Sequence, residues 1–170
     1  GDPSCLQLAE IKAPWRLPGS VVIRVHAAGV NPIDARLRRG EAKWLLPGGF
    51  PRVPGYDVAG QVVDAAGDTG PQVGDRVLAF LDKLRGGGYA EYAKCSVAVV
   101  AKIPDAMSYE EAAALPLAGS TALQGLRDKG RIKQGNRVLI NGASGGVGAF
   151  AVQIAKAYGA NVTGVASGEH

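Results

Sequence analysis

The sequence predicts an α/β protein in two parts: a small, turn-rich β-barrel or sandwich, then the first β-α-β unit of a doubly wound parallel sheet. Three observations carry this. From Gly1 to about Ala101 the chain alternates short β-forming runs with glycine and proline turns. At Pro104 the texture changes to alanine-rich helical sequence. Further on, the apolar run Val138-Leu-Ile140 leads directly into Gly142-Ala-Ser-Gly-Gly-Val-Gly148, after which Val147, Phe150, Ala151, Ile154 and Ala155 recur at helical spacing.

In chain order, Val21–Val25 is strongly β-forming and Ala27-Ala-Gly-Val-Asn-Pro breaks it. Asp34 to Arg39 fits a single helical turn before Gly40, and Pro47-Gly-Gly-Phe-Pro is loop. Val58 to Ala65 reads as a strand interrupted by Gly60, the mark of a bulge or a close backbone contact. Gly67-Asp-Thr-Gly-Pro is a turn, and Val73 to Phe80 is a turn running into a strand. Strand-like sequence returns at Tyr89-Ala-Glu-Tyr-Ala-Lys and at Val97–Ala101.

Ser108-Tyr-Glu-Glu111 has the spacing of a capping box and opens a short helix that breaks at Pro116. Thr121 to Leu126 reads as a second helix, and the boundary between the two parts falls within Pro104–Leu117. Val138-Leu-Ile140 then suits a strand buried on both faces. Gly159 ends the following helix where a left-handed residue is wanted, and Asn161 to Ala166 is the next parallel strand.

Bulk properties exclude several classes. A chain of 170 residues with 46% apolar and 20% charged content can bury a core in one or two domains. No apolar run is long enough to span a bilayer. The net charge of +4 is interspersed, with its densest cluster at Arg36, Arg38 and Arg39, which favours a solvated surface over nucleic-acid binding. Cys5 and Cys95 lack a Cys-x-x-Cys spacing and read as reduced thiols of a cytoplasmic protein. The chain does not start at Met, so a targeting segment is not assessable. His26 reads as a partly exposed strand residue sharing a face with Val22 and Arg24.

Strand, glycine turn, helix and strand within about 30 residues form the context of a dinucleotide-binding fingerprint. Gly142 supplies the turn, Gly145 lets the backbone approach a pyrophosphate, and Gly148 lets the helix pack on the strand. The helix starting near Gly146 aims free amides and its positive dipole end at that phosphate. Ala143 stands where the first glycine of Gly-x-Gly-x-x-Gly is usual. At the end of the second strand, where NAD sites place Asp or Glu, the chain has Ser167 and Gly168. With no carboxylate there to repel a 2′-phosphate, NADP(H) is expected over NAD(H), although Glu169 lies close by.

Several blocks together resemble the medium-chain dehydrogenase/reductase superfamily, in its zinc-free quinone oxidoreductase (ζ-crystallin-like) branch. They are Ala28-Gly-Val-Asn-Pro-Ile-Asp34, Val53-Pro-Gly-Tyr-Asp-Val-Ala-Gly60, Val73-Gly-Asp-Arg-Val77, Gly87-Gly-Tyr-Ala-Glu-Tyr92, Ala112 to Leu123 and Gly142 to Gly148, in the family's order. The resemblance implies a GroES-like β-barrel catalytic domain at 1–115 and the N-terminal part of a Rossmann NADP(H)-binding domain at 116–170. It also implies that both are incomplete. A Rossmann sheet needs about six strands and this chain reaches its second, so a fragment of a longer enzyme, without a complete site of its own, is expected.

Zinc-dependent members carry a cysteine where this chain has Asn31-Pro-Ile-Asp34 and His-Glu where it has Tyr56-Asp57. Two cysteines in all cannot build the usual catalytic or structural zinc site, so no metal is expected. The resemblance then implies hydride transfer from NADPH to an already electrophilic acceptor, a quinone or an α,β-unsaturated carbonyl, by a protein that is a homodimer when full length. Asn31 is implied at the nicotinamide edge, or it only closes the Asn-Pro turn. Thr121 is implied against the carboxamide, or it is an ordinary helix residue. Ser144, Gly145, Gly146 and Val147 are implied around the pyrophosphate.

Arg36 stands where some relatives have a tyrosine, which leaves it a role in stabilising an oxyanion rather than in donating a proton. Asp57 either orients neighbours or caps a turn. Two other classes remain open: a non-catalytic ζ-crystallin-like binding protein, and an enoyl-reductase module of a larger synthase.

Overall fold

The structure is a computed structural model that describes residues 1–41, 50–65, 70–81 and 86–168. The loop and turn expected around 47–49 and 67–69, and Glu169, lie outside the described residues. Contacts divide the chain into two compact units, Gly1–Pro116 and Leu117–His170.

The first unit is an antiparallel sheet of five strands, β1 (Ser20–Gly29), β2 (Asp57–Asp64), β3 (Arg76–Phe80), β4 (Tyr92–Ser96) and β5 (Val100–Lys102), in the order β4-β1-β2-β3-β5. Alternation decides its faces. Val21, Ile23, Val58, Val62, Val77, Ala79, Ala93 and Cys95 converge on one side with Leu81. Each fully buried Val, Leu or Ile there stabilises the sheet by about 1.5–3 kcal/mol. The opposite face of β2 and β3 offers Ala59 and Leu78 to helix α2 (Tyr109–Ala113), where Ile103, Ala112 and Ala113 complete a second small core.

β1 serves both cores because of a bulge. Val25 pairs with Gly60 but Ala27 pairs with Ala59, leaving His26 as the extra residue. That one-residue shift turns Ala27 onto the α2 face. The bulge comes with the close approach expected at Gly60, where an added Cβ would lie 2.0 Å from the Arg24 carbonyl oxygen. The strand thus continues to Gly29, past the break expected at Ala27, because β2 supplies partners for it. His26 itself is exposed and stacks on Tyr109, with ring centroids 4.4 Å apart.

Three boundaries differ from the sequence reading. Helix α1 (Pro32–Arg39) is eight residues long, opened by Pro32 in the first turn and closed by Gly40 at φ 85°. Val97–Val99 form a 3₁₀ turn capped by the Ser96 hydroxyl, so the last strand begins only at Val100. Pro116, which ends α2, also begins helix α3 (Pro116–Leu123), which widens into a π-helical turn over Gln124–Lys129. The capping box is present: the Glu111 N–H donates to Ser108 Oγ at 3.1 Å and the Ser108 N–H to Glu111 Oε2 at 2.8 Å.

The second unit holds α3, β6 (Arg137–Asn141), α4 (Gly146–Ala157) and β7 (Asn161–Val165). β6 and β7 pair in parallel, from Arg137 opposite Asn161 to Asn141 opposite Val165. The crossover between them is helix α4, whose Ala151 and Ala155 pack with Ala122, Ile132 and Ile140. Gly159 takes φ 74° after α4, as its C-terminal position requires.

Candidate functional site

In the second unit the site residues gather on the turn between β6 and α4. Gly142, at φ 75°, reverses the chain. The N–H groups of Gly142 and Ala143 both donate to the Val165 carbonyl at 2.9 Å, which ties the turn to the end of β7. The Gly145 N–H donates to the Gly142 carbonyl at 3.0 Å, and the first helical bond of α4 runs from the Ala149 N–H to the Gly145 carbonyl at 2.8 Å.

The α4 N-terminus therefore has first-turn amides with no helical acceptor, and Gly145 offers no side-chain cap. Ser144, Gly145, Gly146 and Val147 are all exposed. An added Cβ at Gly146 would meet nothing within 4 Å, and one at Gly145 only the Gly142 carbonyl at 3.4 Å. Gly148 is the opposite case: it is buried, and a Cβ there would lie 2.0 Å from the Gly142 carbonyl oxygen. The turn is open toward solvent and closed toward the strand, as an anion cradle at a helix N-terminus requires.

Ala143 at the usual first-glycine position is accommodated from across the sheet. Its Cβ faces Gly164 of β7, where a second Cβ would stand 2.9 Å away. Ser167 follows β7 in exposed coil. Thr121 is exposed on α3, and its hydroxyl donates to the Leu117 carbonyl one helical turn back at 2.7 Å. That bond commits the hydroxyl proton and leaves lone pairs free to accept.

In the first unit Asn31 sits at the junction of β1 and α1, at the N-cap of the helix, and its side chain makes no cap bond to the first turn. The Asp34 carboxylate accepts the Asn31 backbone N–H at 2.8 Å and the Gly55 N–H at 3.1 Å. Asn31 Nδ2 in turn donates to Asp57 Oδ2 at 2.9 Å. Both carboxylates are buried, Asp34 to 6% exposure and Asp57 to 1%. Of the two roles left open for Asp57, orienting a neighbour is the one the geometry supports.

Tyr89 joins this polar group, a residue that sequence reasoning noted only within a motif. Its ring lies against Gly55, where an added Cβ would come within 2.4 Å of Cδ1, and its N–H donates to the Pro54 carbonyl at 3.0 Å. The phenol oxygen is buried, and among the described residues it makes no hydrogen bond of ordinary geometry, although the Asp34 carboxylate lies close enough to act on it. Burial first, and then the negative charge of Asp34, hold the phenol protonated well above its ordinary range. The signal that could have found it is the pairing of a φ-positive glycine with an aromatic in the next glycine-rich segment.

Arg36 is exposed on α1, its Nε 3.9 Å from Glu41 Oε2, while Arg39 pairs with the same carboxylate at 2.9 Å. Five residues from Asn31, it leaves the helix about 140° further round the axis, so α1 does not bring the two side chains to one face. A cavity of about 600 Å³ lies beside α1, lined by Leu37, Arg38, Phe50, Pro51 and Tyr56 among others; Asp34 reaches it but Asn31 does not. Among the described residues no group of three or more His, Cys, Asp or Glu could hold a metal ion, and no helix is long and apolar enough to cross a membrane.

Known proteins resemble this chain in sequence and in fold. Residues 17–105 match the alcohol dehydrogenase GroES-like domain. The chain is 41% identical over 174 residues to the quinone oxidoreductase of Homo sapiens, covering 99% of this chain and 51% of that protein. It superposes on the quinone oxidoreductase of Coxiella burnetii with a TM-score of 0.90 at 36% identity, over 99% of this chain and 54% of that one. A mycobacterial protein solved in complex with NADPH is similar at 33% identity and a TM-score of 0.83, over 99% of this chain and 51% of that one. The chain thus spans about half the length of the curated relatives it matches. It belongs to the alcohol dehydrogenase GroES-like domain family, in the quinone oxidoreductase branch of the medium-chain dehydrogenase/reductase superfamily.

Proposed function

We propose that the protein carrying this chain is a zinc-independent, NADPH-dependent oxidoreductase that delivers hydride to a quinone or an α,β-unsaturated carbonyl. One observation carries the reading: the α4 N-terminus is uncapped and opens on glycines with free space, beside Gly148 that admits no side chain. That combination favours a pyrophosphate over a purely structural turn. In this reading residues 116–170 bind the cofactor and residues 1–115 bind the acceptor.

Gly142, Ala143 and Gly148 shape the turn, and Ser144, Gly145, Gly146 and Val147 hold the pyrophosphate. Ser167, which stands at the end of β7 in the place of an acid that would bind a ribose hydroxyl, suits a 2′-phosphate better. Thr121 accepts from the carboxamide N–H₂, since its own proton is committed to Leu117. Bound NADPH supplies the hydride. Asn31 orients the acceptor, which takes up a proton after the hydride arrives; Arg36, which α1 turns to another face beside Glu41, has no part in this step.

The quinone oxidoreductase relatives and the NADPH-bound neighbour support this class of reaction. The test is NADPH oxidation by the whole enzyme, with a small quinone and a linear enone compared in the presence of chelator. Turnover that survives chelator and prefers NADPH over NADH is expected, and the better acceptor identifies the substrate class. Tight NADPH binding without oxidation of either acceptor would replace this reading with a non-catalytic binding role, and loss of activity with chelator would refute metal independence.

A further inference from the structure

We propose that Asp57 is a positioning residue for Asn31: its buried carboxylate selects one orientation of the Asn31 amide and so sets which edge of that amide meets a bound acceptor. This rests on the function proposed above. A carboxylate has only acceptors to offer, so the NH₂ side of the amide must face it. The reversed amide would press Oδ1 against Asp57 at the 2.9 Å now spanned by a charge-assisted bond. With Asp57 1% exposed, water cannot relieve that conflict.

The register of the sheet places the pair. Asp57 opens β2 opposite Gly29, the last residue of β1, two positions before Asn31. Gly29 has no Cβ to intrude: one built there would lie 3.0 Å from Asp57 Cβ and 2.5 Å from the Ala113 carbonyl oxygen. The backbone of Asn31 is fixed separately, by Asp34 accepting its N–H while also holding Gly55. One carboxylate therefore fixes where Asn31 stands and the other fixes how its amide is turned. A side chain needed only to close the Asn-Pro turn would require the first and not the second.

The experiment compares whole wild-type enzyme with D57N and D57L, reading kcat and KM for NADPH turnover together with the Asn31 side-chain amide signals in ¹⁵N-asparagine-labelled protein. D57N keeps an acceptor oxygen for Nδ2; D57L keeps the bulk and removes the acceptor. The expected result is a fall in kcat on the order of tenfold to a hundredfold for D57L, with loss of the distinct, exchange-protected Asn31 amide protons. D57N is expected to recover most of both. Unchanged amide signals in D57L would overturn the proposal, as would equal damage in D57N and D57L.

If D57L fails to fold, N31D decides by its pH profile. Titratable groups around the pair include, among the described residues, Asp34 on α1 and Tyr89. Two facing carboxylates cannot both ionise freely, so turnover by N31D should fall as pH rises and the shared proton leaves. A profile identical to wild type would refute the positioning role. If wild-type enzyme turns over neither acceptor, the proposed reaction fails, and the amide signals judge Asp57 on their own.

Discussion

Ala143 and Gly164 face each other across the end of the parallel pair, so closely that only one of them can carry a Cβ: a second would stand 2.9 Å from the first. The departure of this chain from the usual glycine fingerprint is thus matched by a glycine on the neighbouring strand. Placing a methyl at Gly164 should destabilise the second unit by about 1–3 kcal/mol, the usual cost of overpacking. Replacing Ala143 by Gly in the same molecule should recover most of it. Chemical denaturation of wild type, G164A, A143G and the double variant measures the coupling, and additive effects would show that the two positions do not interact.

Gly146 and Gly148 should separate binding from folding. Nothing lies within 4 Å of a Cβ at Gly146, whereas one at Gly148 meets the Gly142 carbonyl oxygen at 2.0 Å. G146A is therefore expected to fold as wild type while its methyl crowds the anion cradle and weakens NADPH binding in the whole enzyme. G148A should lose stability by about 3 kcal/mol or more. Thermal melts with and without cofactor distinguish them; equal cofactor affinity in G146A and wild type would move the phosphate elsewhere.

Cys95 provides a pH signature. Its thiol is buried in β4, and burial pushes it from an ordinary 9.0 up to about 12. The folded state thus holds this proton more tightly than the unfolded state. The resulting stabilisation is complete below pH 9 and is lost as pH rises from 9 toward 12. The urea midpoint of wild type should accordingly fall more steeply over that interval than that of C95A. In native protein the exposed Cys5 should react with a thiol reagent first, and fast labelling of both cysteines would contradict the burial of Cys95.

Removing the Tyr89 hydroxyl should cost nothing. Among the described residues its buried oxygen makes no hydrogen bond of ordinary geometry, so Tyr89→Phe deletes a desolvated polar group while keeping the ring against Gly55. Stability should be unchanged or rise by about 1 kcal/mol. A loss of that size instead would mean that the hydroxyl has a partner in solution.

Much of this molecule was legible in local sequence. The glycine fingerprint, the α4 periodicity, Gly159 at the helix end and the Ser108–Glu111 capping box all appear where the sequence puts them. The Asn31–Asp57 pair was not legible as a contact, because it spans 26 positions and depends on β1–β2 register. Tyr89 was missed for the same reason: its environment comes from Gly55 and Asp34, far away in the chain. The late start of the last strand was hidden because Val97–Val99 has β-forming composition, while the 3₁₀ turn there is set by the Ser96 hydroxyl reaching the Ala98 N–H at 3.3 Å.

By itself the sequence determined the kinds of element, their order, the glycine turn between β6 and α4 and the family. Each of these depends on groups within one or two turns of one another: periodic apolar side chains, caps, and glycines that tolerate positive φ. The tertiary structure alone decided that the His26 bulge swings β1 from one core to the other, that Gly164 makes room for Ala143, and that Asp57 turns the Asn31 amide. Those outcomes rest on strand register and close packing between distant segments, where a shift of one residue reverses every side chain.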